Sequence, residues 1–138
     1  MNNMDTCLPS EYYNILWRTS WFGIISFIFA LYKEFYDFAF LGILVFLTSI
    51  NYWKYPINNW RRKVDMFTVQ FGITYQIIKA YYVKDNYYYY SILSFALSFY
   101  IFSLYFSKKN KLWLSTVSHS LLHFFGNISN VVLYILID

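Results

Sequence analysis

The chain has 138 residues, of which 59% are hydrophobic and 26% aromatic (Tyr 16, Phe 15, Trp 5), against 13% charged and a formal net charge of +4. Soluble domains carry about 25% charged residues, and so short a chain cannot bury this many large apolar side chains in one water-soluble core. That balance excludes a soluble domain, while four Gly and two Pro exclude a collagen-like chain and the lone Cys7 excludes a disulfide scaffold or a cysteine-based zinc site within one chain.

Residues 1–11 (MNNMDTCLPSE) read as a short polar tail. They lack the pattern of a secretory signal or transit peptide, and Gly does not follow the initiator Met as myristoylation requires. A helix crossing the hydrocarbon core needs about 20 mostly apolar residues. Such segments occur at 12–32, uncharged from Thr19 onward; at 35–53, with Asp37 near its start; at 64–83, opened by Asp65 and with Lys79 near its other end; at 87–106; and at 112–137, which has no Asp, Glu, Lys or Arg. The segment at 64–83 is the least apolar. The expected fold is therefore all-α, one domain over 1–138, a bundle of about five transmembrane helices.

The loops are short, and charge counting orients them. With five spans, Arg18, Lys54, Arg61, Arg62, Lys63, Lys108, Lys109 and Lys111 fall on one side, and Lys33, Lys79 and Lys84 on the other. The expected orientation places the N-terminus in the cytosol and the C-terminus outside. Tyrosines cluster at span ends (Tyr12, Tyr13, Tyr52, Tyr55, Tyr81, Tyr82 and 87–90), where amphipathic rings favour the headgroup zone. The expected partner is the bilayer, with anionic lipids at the basic loops 54–63 and 108–111. Topology alone accounts for those loops, so nucleic-acid binding is not expected. The sequon at Asn127, Ile128 and Ser129 lies inside a span and should stay unmodified.

Polar groups inside a membrane are costly and mark function. In the last span Ser115, His119, His123 and Asn127 recur every four residues, hence on one helix face. Two imidazoles at i, i+4 can chelate a divalent metal from one helix, although two ligands do not complete a zinc site; their plainer role is interhelical hydrogen bonding. At 1.5 Å per residue they lie roughly 10 and 16 Å from the cytosolic end of the span. In the third span Asp65, Thr68, Gly72 and Gln76 form a second stripe. Asp65 reads either as a partner of Arg61, Arg62 or Lys63, or as a helix cap, or as a general base beside a metal-bound water. Thr48, Ser49 and Asn51 end the second span on the same side. Ser91, Ser94 and Ser98 read as packing positions of the fourth span, and Asp37 as solvated or paired with Lys33.

Taken in order, these residues resemble the superfamily of hemolysin III, adiponectin receptors and alkaline ceramidases. The resemblance rests on SINYW with Ser49, the basic NNWRRKVD with Asp65, and HSLLHFFGN with His119 and His123, and covers 48–76 and 115–130. It implies a zinc-dependent membrane lipid-amide hydrolase, with Asp65 as base, Ser49 supporting the transition state, and His119 and His123 as metal ligands. Two departures matter: the family has seven spans, and Trp53 stands where it has a third zinc histidine. Indole N–H is only a donor and cannot ligate. A third ligand would have to be a carboxylate such as Asp65 or come from another subunit. The expectation is a reduced, degenerate and non-catalytic relative that retains a polar pocket on the cytosolic side. The rival readings are a structural or assembly subunit of a larger membrane complex or viral envelope, with a membrane-protein partner or a homo-oligomer, and a small transporter or channel. The last is disfavoured because no Gly/Pro-broken helix pair is present.

Overall fold

The computed structural model describes residues 6–138, so residues 1–5 of the polar tail lie outside the described residues. Six helical segments follow one another: α1 (Ser10–Ser20), α2 (Gly23–Tyr32), α3 (Tyr36–Lys54), α4 (Trp60–Tyr81), α5 (Tyr87–Lys108) and α6 (Leu112–Ile137). They form five rods, because α1 and α2 are one rod tightened at Trp21 and Phe22. There the N–H groups of Trp21, Phe22, Ile24 and Ile25 bond three residues back instead of four. The Thr19 and Ser20 hydroxyls both donate to the Leu16 carbonyl (3.2 and 2.8 Å). Such back-bonding just before a glycine is a recognised cause of helix bending.

Four stretches, Ser10–Tyr32, Tyr36–Lys54, Tyr87–Lys108 and Leu112–Ile137, are long and apolar enough to cross a membrane. The chain is an all-α, multi-pass membrane protein. Helix α4 is also 22 residues long, but its composition is mixed because its two faces differ. Asp65, Gly72, Gln76 and Ala80 are buried on its inner side, whereas Phe67, Phe71 and Ile78 stand exposed on its outer side. Exposed Ile28, Phe40, Ile101 and Ile135 extend that apolar surface over the other rods. Water would penalise a surface of this kind, and lipid does not.

Helix α4 begins four residues before the span read from sequence, which corrects two expectations. Asn59 caps it, accepting from the Arg61 N–H (3.0 Å), so Asp65 sits in the second turn and is not the cap. Among the described residues no ion pair joins Asp65 to Arg61, Arg62 or Lys63. Asp37 pairs with Lys79 (3.5 Å) and accepts from the Tyr75 hydroxyl, while Lys33 pairs with Asp138. The serine expectation for α5 also fails. Ser91 and Ser94 are exposed, and the buried face is Tyr89, Leu93, Ala96 and Ser103.

The rods make an incomplete ring in the order α4, α3, α1–α2, α6, α5, each packed on its neighbour. At one end the ring is filled. Ala30, Ala39, Ala80, Leu93, Leu133, Phe38, Tyr89 and Tyr134 form a buried core there, with the Phe38 and Tyr134 rings 5.0 Å apart across the bundle. Small residues let the helices approach closely where lipid supplies no hydrophobic drive for association. Gly23 and Gly42 do the same between α2 and α3. A Cβ on Gly42 would lie 3.6 Å from the Phe27 backbone, and one on Gly23 would lie 3.5 Å from the Phe46 side chain. Away from this plug the ring is hollow.

Candidate functional site

A cavity of about 310 Å³ occupies the hollow part of the bundle. Every rod contributes to its wall: Ser20 and Ser26 from the first, Ser49 and Trp53 from α3, Asp65 and Gln76 from α4, Tyr100 from α5, and His119, His123 and Asn127 from α6. Residues as far apart in sequence as Ser20 and Asn127 thus face one space. Gly126 also lines it, and a Cβ built there would meet nothing within 4 Å.

Asp65 is 8% exposed. Its Oδ1 accepts from the Ser49 hydroxyl (2.7 Å) and the Thr48 hydroxyl (3.1 Å), both offered by α3. No donor among the described residues reaches Oδ2. Hydroxyl ligation explains why a carboxylate tolerates this depth: each bond to a charged group contributes roughly 1.5–3 kcal/mol. It also joins Ser49 of α3 and Asp65 of α4 into one unit.

The histidines lie one turn apart on α6, ring centroids 4.9 Å apart and planes perpendicular. His123 Nδ1 shares a proton with Thr19 Oγ1 at 2.9 Å. The Thr19 hydroxyl also reaches the Leu16 carbonyl. It has one proton, so when that proton goes to Leu16 the imidazole N–H is the donor at Nδ1. His119 Nδ1 stands 3.5 Å from Ser103 Oγ, and Ser115 donates to the Ser103 carbonyl at 2.9 Å. Further along, the Ser26 hydroxyl donates to Asn127 Oδ1 (2.8 Å) and Asn127 Nδ2 to the His123 carbonyl (2.7 Å). These bonds stitch α6 to α1, α2 and α5. The interhelical hydrogen-bonding role of the histidine stripe is therefore present in the fold.

Trp53, the residue in place of a third histidine, lies over His119 with centroids 5.1 Å apart, and Tyr100 flanks the same imidazole at 6.4 Å. The environment of His119 is aromatic on both sides. Among the described residues no three of His, Cys, Asp and Glu come close enough to hold a metal ion. The donors among the described residues do not assemble a zinc ligand set.

Some sequence-marked groups stand elsewhere. Thr68 is spent on the Val64 carbonyl (2.7 Å), Asn51 is exposed, and Ser115 is consumed by Ser103. Conversely, Thr19, Ser20 and Ser26 of the first rod, with Gln70, Tyr100 and Asn130, went unremarked. A signal for the first group existed: Thr19, Gly23 and Ser26 recur at spacings of four and three inside an otherwise apolar run.

No family model, no curated protein and no solved structure matches the chain.

Proposed function

We propose that this membrane protein is a non-catalytic, reduced relative of the zinc-dependent lipid-amide hydrolases, whose polar cavity has become a ligand-binding site. The observation that carries the reading is the meeting of Ser49, Asp65, His119 and His123 at one cavity, with Trp53 against His119 where a third histidine would ligate. The order of these residues supports descent from the hydrolase pattern, and the aromatic replacement supports loss of its chemistry. A mostly apolar chamber with a few convergent polar groups, set between the helices of a bundle, is a usual form for a small-molecule site.

The reading includes orientation. The end of the bundle that holds Asp65 and Trp53 faces the cytosol, because the basic residues Lys54, Arg61, Arg62, Lys63, Lys108, Lys109 and Lys111 cluster there. Elemental analysis of the detergent-purified chain should find well under one zinc per molecule. Its thermal stability should be unchanged by a strong chelator. About one zinc per chain, lost in His119→Ala, would return the protein to the metallohydrolases.

A further inference from the structure

Helices α4 and α5 are consecutive, yet close packing joins α4 to α3 and α5 to α6 and not the two to each other. Hydrogen bonds between them are confined to the end near their connecting turn. There the Tyr89 hydroxyl donates to Gln76 Oε1 (3.4 Å) and the Tyr90 hydroxyl to the Ile77 carbonyl (2.9 Å). Beyond that point the cavity wall is Met66, Val69 and Ile73 on one side and Leu97 and Tyr100 on the other. Met66 and Tyr100, at its edge, are 40% and 37% exposed. The gap in the ring is thus an apolar slot at mid-helix depth, leading sideways from the outer surface into the chamber that holds Asp65 and the histidines.

The chamber has a charge preference. Among the described residues its lining includes one acid, Asp65, and no Lys or Arg. The nearby cations are engaged outside it: Arg61 with the Tyr55 carbonyl (3.4 Å) and Arg62 with Asn58 (3.1 Å). Both hydroxyl partners of Asp65 act on Oδ1, leaving Oδ2 without a donor among the described residues. A buried carboxylate with no counter-cation among the described residues is one that a cationic ligand would stabilise. Trp53 and Tyr100, whose faces attract cations, line the same space.

From these observations we infer that the cavity receives a single-chain amphiphile carrying an ammonium headgroup, which enters from the bilayer between α4 and α5. The headgroup meets Asp65, and the alkyl chain lies in the slot beside Val69, Ile73 and Leu97. The inference deepens the ligand-binding reading above and rests on it.

The test uses the full chain in an uncharged detergent, with bound probe counted by native mass spectrometry. Four probes separate headgroup from tail: dodecylammonium, dodecanol, dodecanoate and butylammonium. One dodecylammonium per chain is expected, held at least ten-fold more tightly than any of the others, with that preference lost in Asp65→Asn. Equal binding of dodecanol or dodecanoate would overturn the headgroup assignment. Equal binding of butylammonium would overturn the tail and its lateral entry, and persistence of the preference in Asp65→Asn would overturn the role of the carboxylate. Should Asp65→Asn fail to fold, the four-probe comparison on the unmodified chain still decides. Gly126→Leu, which projects a side chain into open cavity space, should abolish binding of every probe. If it does so while the headgroups are not distinguished, only the ammonium inference falls. If it leaves all binding unchanged, the ligand-binding reading falls too.

Discussion

Thr116, on α6 and 2% exposed, has a buried hydroxyl with no hydrogen-bond partner among the described residues. A deeply placed hydroxyl without a partner carries its full desolvation penalty, roughly 1–3 kcal/mol, with nothing to offset it. Valine has nearly the same shape without the polar atom. Thr116→Val should therefore stabilise the bundle by about 1 kcal/mol, read as a raised thermal midpoint in detergent. An unchanged or lowered midpoint would mean that the hydroxyl has a partner. The contrast with Thr19 and Thr48 is instructive. Those hydroxyls are chemically the same group, but one meets His123 and the other Asp65. At this scale identity supplies the donor, and neighbours decide whether it stabilises or costs.

Between the helices, three turn residues carry the folding constraint: Glu34, Asp85 and Asn110 have φ of 60, 58 and 55°. Glu34 and Asn110 stand just beyond a helix end, where the left-handed conformation lets the following N–H return to an unpaired carbonyl, and Asp85 lies in the turn between α4 and α5. Phe35 N–H reaches the Ala30 carbonyl at 2.9 Å and Lys111 N–H reaches that of Phe106 at 2.9 Å. Glycine adopts this conformation without the Cβ clash that other residues incur. Glu34 is exposed and no ion pair is recorded for it among the described residues. Replacing it by glycine should raise stability by about 0.5–1 kcal/mol, less the added freedom of the unfolded chain. A denaturation midpoint shift in SDS reports it. Loss of stability would show that the side chain does more than tolerate the turn. Helix α4 carries the other element-scale lesson. Counting its residues together hides that its polar ones face inward and its phenylalanines outward.

Across the whole molecule the charges are sorted by end. The end opposite the cavity collects Glu34, Asp37, Asp85 and Asp138 and pairs two of them with Lys33 and Lys79. The cavity end carries most of the basic residues. In the proposed orientation that end meets the anionic inner leaflet, where a basic residue near the surface contributes about 1 kcal/mol. Cys7 is the chain's single cysteine and is exposed, and its N–H is tied to the Pro56 carbonyl at 2.8 Å, which places it at this end. In intact cells a membrane-impermeant maleimide should leave Cys7 unmodified until the membrane is permeabilised. A cysteine introduced at Asp85 in a Cys7→Ser background should label at once. The reverse pattern would invert the proposed orientation.

Helix number, approximate bounds and the membrane environment were all legible in the chain, because each depends on local apolarity and on the loop residues that interrupt it. The predicted 35–53, 87–106 and 112–137 lie within two residues of α3, α5 and α6. The start of α4 was misplaced because Asn59 outcompetes Asp65 for the cap, a local contest that hydropathy does not register. Periodicity also identified Ser49, Asp65, His119 and His123 as residues needing explanation, since polar groups at helical spacing in lipid are few. What periodicity could not supply is which faces meet. Only the tertiary structure brought the Thr19 hydroxyl to His123, set Trp53 against His119, and left α4 and α5 apart along most of their length. Helix formation is satisfied within each segment, but a cavity exists only where rods fail to fill the space between them. That depends on the volumes and angles of side chains from five rods at once.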